Sequence, residues 1–256
     1  MTENSGSINL AVIGGTGLTS LEKLEITHRE VVHTPFGEPS GAMTHGKLAG
    51  CHIVFLARHG YTHRIPPHRV NYRANIWALR HLGVERILAV NAVGGIRVEL
   101  EPGMLAVPDQ LIDYTWGRGH TFFEDELKEV VHTDFTWPYD ETLRRPVVEA
   151  ARACGTPHLA GGVYAATQGP RLETAAEIDR LERDGADMVG MTGMPEAVLA
   201  RELRLPYASC AVVANRAAGR GNGEITMEEI GQALKIGIAR VGELLEALVA
   251  GLGKKQ

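Results

Sequence analysis

The sequence predicts a single α/β domain, and three observations carry that reading. Short apolar runs recur along the chain, helix-like stretches separate several of them, and no internal repeat, low-complexity segment or linker marks a boundary. With 256 residues, 44% of them hydrophobic, the chain can bury a substantial core.

The first run, INLAVI, ends at GGTGL. The others are HIVFLA (52–57), ERILAVNAV (85–93), MLAVPDQLI (104–112), GVYAAT (162–167), ADMVGM (186–191) and YASCAVVAN (207–215), and all read as buried strands. Helix-like stretches over residues 70–82, 174–184 and 194–202 precede the third, sixth and seventh runs. The last two alternations predict parallel β-α-β units. Near the C-terminus Ile230, Leu234, Ile238, Val241, Leu245 and Leu248 recur at three- and four-residue steps, which predicts a helix with one apolar face that closes the domain. Residues 113–140 differ: Trp116, Phe122, Phe123, Phe135, Trp137 and Tyr139 are mixed with acids, glycine and proline and follow no single period. That stretch reads as a long ordered excursion, serving either function or a subunit contact. The expected organisation is a disordered leader over 1–8, one domain over 9–251 and a tail over 252–256.

Composition narrows the function classes. Twenty-six basic and 31 acidic residues give a net charge of −5, which offers no electrostatic footprint for nucleic acid. Cys51, Cys154 and Cys210 form no CxxC pair; they point to a reducing compartment and away from a disulfide frame or structural zinc, and each reads as a small core residue. The polar leader carries no export signal, and no apolar run approaches the ~20 residues needed to span a bilayer. A cytoplasmic protein with no membrane partner is expected.

Candidate chemistry sits where these runs end. Gly14-Gly15-Thr16-Gly17 follows a strand, where backbone N–H groups and a threonine hydroxyl can approach an anion such as phosphate. It reads equally as a tight turn, and it lacks the full spacing and ribose-binding acid of a dinucleotide site. Arg58-His59-Gly60-Tyr61-Thr62-His63 ends the next run, and its guanidinium suits phosphate. His59 and His63 also have metal-like spacing, yet no carboxylate or cysteine nearby completes a ligand set, so no metal is expected. Asn91-Ala92-Val93-Gly94-Gly95 leaves room for a ligand beside the backbone. The segment Thr167 to Glu177 places Glu173 just before a helix that Thr174 and Glu177 can cap. Met191-Thr192-Gly193 and Asn215-Arg216-Ala217 end two further runs, so all these motifs point toward one sheet edge.

Taken in order, GGTGL, RHGYTHRIPPHRVNYRANIWAL, NAVGG, TQGPRLETAAE, MVGMTGMPEAVLARE and CAVVANRAAG resemble the signature segments of the trimeric purine nucleoside phosphorylase and 5′-methylthioadenosine phosphorylase family. The resemblance covers nearly the whole chain. It implies a mixed, partly barrel-like sheet flanked by helices, and a homotrimer with active sites near subunit contacts. It implies that Thr16, Arg58, His59, Ala92 and Thr192 bind inorganic phosphate as co-substrate, with no further cofactor, and that Met191 lies against the ribose. Leu172, Glu173, Asn215, Arg216 and Ala217 would meet the base, and His132 resembles a histidine lent by a neighbouring subunit. Asn215, Glu173 and His59 are the expected catalytic residues, with Arg58 and His59 holding the phosphate dianion.

The departures from the family pattern set the expected specificity. Members that accept 6-aminopurines carry an aspartate where this chain has Asn215. The methylthioadenosine branch has a serine at the position of Glu173 and a second aspartate at that of Ala217. Asn215 can donate to N7 or O6 of a 6-oxopurine, and Glu173 can accept its N1–H. At the sugar end, phosphorylases of ordinary nucleosides place a histidine where this chain has Met227, beside Ile225 and Ile230, so the 5′ pocket reads as apolar. Glu173 and Met227 are therefore the specificity residues, and the expectation is phosphorolysis of a 6-oxopurine from 5′-methylthioribose. A general inosine/guanosine phosphorylase, a methylthioadenosine phosphorylase and a non-catalytic nucleoside-binding module are the alternatives.

Overall fold

A computed structural model describes residues 9–18, 21–125 and 127–252. The expected leader over 1–8 and residues 253–256 of the expected tail lie outside the described residues. Leu252, assigned to that tail, is the last residue of a helix instead.

The central strand is β5 (Ile87–Gly95), entirely or nearly buried along its length. One of its edges pairs in parallel with β11 (Tyr207–Arg216) over the whole length. The other edge is shared: β1 (Leu10–Gly14) pairs in parallel with Ile87 to Ala89, and β10 (Met188–Gly190) pairs antiparallel with Gly94 and Gly95. Beyond β1 the sheet continues through β4 (Cys51–Ala57), β3 (Met43–Leu48) and β2 (Glu25–Glu30). Beyond β10 it continues through β9 (Val163–Ala166) to β7 (Gln110–Asp113), while β11 pairs with β6 (Leu105–Val107) and β6 with β8 (His158–Ala160). Since only Pro108 and Asp109 separate β6 from β7, the strands around β5 nearly close into a barrel whose seam lies at that link.

The run 104–112 is thus two strands, because Pro108 cannot donate to a ladder. The β2–β3 hairpin, β8 and the helix α2 (Glu141–Ala153) are additional to the expected elements. The strand β2 is exposed at nearly every position and carries no apolar run to betray it. One predicted β-α-β unit forms as expected: β9 and β10 are parallel and joined by α3 (Ala175–Arg183), which Thr174 and Glu177 cap reciprocally. The other does not. The helix α4 (Glu196–Glu202) joins β10 to β11, but these strands flank β5 on opposite edges and run antiparallel to each other.

Two apolar layers cover the sheet. The helix α1 (Tyr72–His81) contributes Ile76 and Leu79, and α4 contributes Leu199, to one; α2 and α5 (Met227–Leu252) contribute Val147, Val241 and Leu245 to the other. Gly237 lets α5 lie directly on β11, since a Cβ there would meet Val212 at 2.2 Å. Of the three cysteines Cys210 is a buried core residue and Cys51 packs half-buried against the core; Cys154 is partly exposed, which corrects the expectation for that residue. Among the described residues no helix is long and apolar enough to cross a membrane.

Candidate active site

The divided edge of β5 creates the site. Because β1 leaves at Ala89 and β10 arrives only at Gly94, residues 90–93 face a gap between two diverging halves of the sheet. The chain ends that converge there come from both directions. Gly15 and Thr16 follow β1, and Arg58 and His59 follow β4; Met191 and Thr192 follow β10, which runs the opposite way along β5. The single sheet edge expected from the sequence is therefore two half-edges meeting over one strand. Gly15 is required by the close approach: a Cβ would lie 2.6 Å from the Val90 carbonyl oxygen and 3.0 Å from Arg58 Nη1.

A cavity of about 540 Å³ fills this gap. The residues expected at phosphate, Thr16, Arg58, His59, Ala92 and Thr192, all line it. So do Met191, Leu172, Glu173, Asn215 and Ala217 from the expected sugar and base contacts, and Ile225, Met227 and Ile230 from the expected 5′ pocket. Ala214 and Asn215 face it together, although they are neighbours on one strand, because a bulge between Val213 and Asn215 breaks the alternation. Met227 is 75% exposed, so it is no core residue of a helix start; it sits free at the first turn of α5.

Two expected residues do not line the cavity. Arg216 turns its guanidinium to the Val98 carbonyl oxygen at 3.3 Å and to Glu101, because strand alternation resumes after the bulge and directs it away from Asn215 and Ala217. His132 is exposed on the excursion.

The electrostatics of the residues expected at phosphate are not those of a simple cationic pocket. Arg58 is fully buried and donates through Nε and Nη2 to the two oxygens of Glu196, at 2.7 and 2.8 Å, and through Nη1 to the Val90 carbonyl oxygen at 3.0 Å. Burial alone would lower its pKa; the Glu196 charge and hydrogen bonds outweigh that and raise it, so the guanidinium stays charged. Three of its five N–H groups are thus engaged, and its charge is offset by a carboxylate that also accepts from the Tyr207 hydroxyl at 2.9 Å. His59 is held neutral. Burial first, then the adjacent Arg58 charge, push its pKa down to about 4. Its Nδ1 lies 2.8 Å from the Ile65 carbonyl oxygen, which can only accept, so Nδ1 carries the hydrogen and Nε2 is left as an acceptor.

At the expected base contacts, Glu173 accepts from the Thr167 hydroxyl at 2.6 Å, which fixes one carboxylate oxygen. Asn215 donates one amide hydrogen to the Arg216 carbonyl oxygen at 2.7 Å and keeps a second donor and its oxygen. The segment leading to Glu173 and the loop after β10 are tied together by Arg118, on the excursion and 9% exposed. Its Nη1 donates to the carbonyl oxygens of Met191 and Met194 at 2.8 and 2.6 Å, and its Nη2 to that of Gln168 at 2.8 Å. The excursion therefore braces the cavity wall.

A family model described as the phosphorylase superfamily matches residues 9–250. The chain belongs to that superfamily. A probable S-methyl-5′-thioinosine phosphorylase of Pseudomonas syringae pv. tomato is 58% identical over 240 residues, covering 94% of this chain and 98% of its own. A 6-oxopurine nucleoside phosphorylase of Pyrococcus furiosus is 46% identical over 226 residues, covering 86% and 84%. Among solved structures, the methylthioadenosine phosphorylase from Schistosoma mansoni in complex with adenine superposes with a TM-score of 0.93 at 33% identity, covering 98% of this chain and 93% of that one.

Within this phosphorylase fold, Glu196, Asn91 and Arg118 shape the site without appearing among the expected residues. Glu196 and Arg118 are charged side chains whose burial no local pattern shows, since each is neutralised or satisfied by partners distant in sequence. Asn91 stood in a quoted motif, but its partners lie far along the chain, Ser209 on β11 and Thr192 in the loop after β10.

Proposed function

We propose that this phosphorylase cleaves S-methyl-5′-thioinosine, using inorganic phosphate as co-substrate and no further cofactor, to give hypoxanthine and 5-methylthioribose 1-phosphate. The observation that carries the reading is one cavity lined both by Glu173 with Asn215 and by Ile225, Met227 and Ile230. The first pair matches a 6-oxopurine: the carboxylate accepts N1–H and the amide donates to N7 or O6. Adenine would turn a lone pair at N1 toward the carboxylate, an unmatched buried contact that costs about 1–3 kcal/mol. The second group favours a methylthio substituent, whose burial contributes about 1–2 kcal/mol, and offers a 5′-hydroxyl no partner. The relatives named for S-methyl-5′-thioinosine, at 54% and 58% identity, support the same substrate.

Phosphate itself is the nucleophile, so catalysis lies in positioning and electrostatics. A phosphate oxygen bonds to C1′ as the C1′–N9 bond breaks, and the bonding pair leaves with the purine, where Asn215 stabilises the developing charge. Neutral His59, with Nε2 as acceptor, takes a hydrogen bond from a protonated phosphate oxygen, and the free Arg58 N–H groups donate to the others. The protein works as a cytoplasmic homotrimer in this reading, His132 reaching a neighbour's 5′ pocket. Exposed Trp116, Val130 and Trp137 on the excursion support such a contact. The test is phosphate-dependent base release from S-methyl-5′-thioinosine, inosine and 5′-methylthioadenosine. S-methyl-5′-thioinosine should give the highest kcat/KM; inosine exceeding it by a wide margin would remove the apolar-pocket argument.

A further inference from the structure

Behind the cavity wall a buried hydrogen-bond chain runs from one strand to the ligand loop. The Ser209 hydroxyl on β11 donates to Asn91 Oδ1 at 2.8 Å, and Asn91 Nδ2 on β5 donates to Thr192 Oγ1 at 2.7 Å. Ser209 is 2%, Asn91 1% and Thr192 6% exposed, so water does not substitute for any of these partners. In the observed orientation Ser209 supplies a hydrogen to the amide oxygen and the amide nitrogen faces Thr192. The threonine oxygen then accepts, and its own hydrogen must point elsewhere. Among the described residues the chain acceptor beside that hydrogen is the Tyr164 hydroxyl, which already takes the Thr192 backbone N–H at 3.4 Å, and Thr192 lines the cavity beside Arg58 and His59.

We infer that Ser209 and Asn91 are positioning residues that hold the Thr192 hydroxyl as a donor aimed at the bound phosphate. This rests on the phosphorylase reading of the cavity. A hydroxyl free to rotate can present lone pairs to an anion; one already accepting from Asn91 donates to it without reorganisation. The arrangement complements neutral His59, which accepts from a protonated oxygen while Thr192 donates to an unprotonated one, so the pair recognises a partly protonated oxyanion.

Replacing Asn91→Asp keeps the shape and reverses the polarity. The carboxylate accepts where the amide donated, draws the Thr192 hydrogen to itself and turns the threonine lone pairs to the phosphate. The phosphate KM should rise tenfold to a hundredfold, roughly the weight of one charge-assisted hydrogen bond, while the nucleoside KM stays within about twofold. Ser209→Ala adds no charge and releases only the amide orientation, so it should raise the phosphate KM about threefold. Combining Ser209→Ala with Thr192→Val closes a double-mutant cycle in which the Ser209→Ala effect should vanish. That cycle decides the matter even where Asn91→Asp does not fold. An Asn91→Asp or Ser209→Ala enzyme with unchanged phosphate KM, or a Ser209→Ala effect of equal size with and without the Thr192 hydroxyl, overturns the proposal. Wild-type protein that releases no base with phosphate overturns the reading of the site as well.

Discussion

Arg58 and Glu196 form a fully buried pair, two parallel hydrogen bonds of 2.7 and 2.8 Å joining the end of β4 to the start of α4. Arg58 lines the cavity while Glu196 does not, and each member is the other's only charged hydrogen-bond partner among the described residues. Removing one member of such a pair leaves an uncompensated buried charge, at a cost of about 3–5 kcal/mol. Glu196→Gln should therefore lower the melting temperature by roughly 6–20 °C at the usual few degrees per kcal/mol for a chain of this size. Calorimetry with and without phosphate checks this, and an unchanged melting temperature would contradict the pairing.

His59 makes stability depend on pH. In the unfolded chain it takes a proton near 6.5, in the folded protein only near 4. The folded state therefore binds fewer protons between those values, and stability falls as the pH drops from about 6.5 to about 4. His59→Asn keeps a donor for the Ile65 carbonyl oxygen and removes the titration. Urea midpoints across this window should show a shallower slope for the variant; identical slopes would assign the acid sensitivity elsewhere.

Base preference follows from Glu173 and Asn215. The pair Asn215→Asp with Glu173→Ser should move activity toward 6-aminopurines, since a protonated carboxyl can donate to N7 and a hydroxyl can donate to the bare N1 of adenine. Initial rates with S-methyl-5′-thioinosine and 5′-methylthioadenosine read the change. A double variant that kept its oxopurine preference would show that these side chains do not select the base.

The 5′ preference rests on Met227, which the exposed first turn of α5 lets vary without disturbing the core. Met227→His gives a 5′-hydroxyl a partner and removes apolar contact, so the ratio of kcat/KM for S-methyl-5′-thioinosine over inosine should fall about tenfold. Fold stability should change by less than about 0.5 kcal/mol, as for other exposed sites.

Bracing by Arg118 predicts a uniform loss. Arg118→Met leaves the carbonyls of Met191, Met194 and Gln168 without their donor, each worth about 1–3 kcal/mol when buried. Turnover of every nucleoside should drop together, with the substrate ranking unchanged. A change in ranking would make Arg118 a specificity residue instead.

Much of this protein is written locally. The apolar runs that became β1, β4, β5, β9, β10 and β11 specify themselves, because a buried strand needs no polar alternation; β1, β5 and β10 end on glycine. The helix caps of α3 and the lining residues Thr16, Arg58, His59, Thr192, Glu173 and Asn215 are equally legible, since their chemistry depends on residue type and on following a strand. Tertiary structure alone decided the rest. Which edge of β5 each strand takes, the antiparallel return of β10 and the gap between β1 and β10 depend on pairings between residues far apart in sequence. The same is true of the Ser209–Asn91–Thr192 chain, of Glu196 behind Arg58, and of Arg216 turning away after the bulge. A buried polar group is tolerated only when a partner satisfies it, and the sequence names the group while the fold alone supplies the partner.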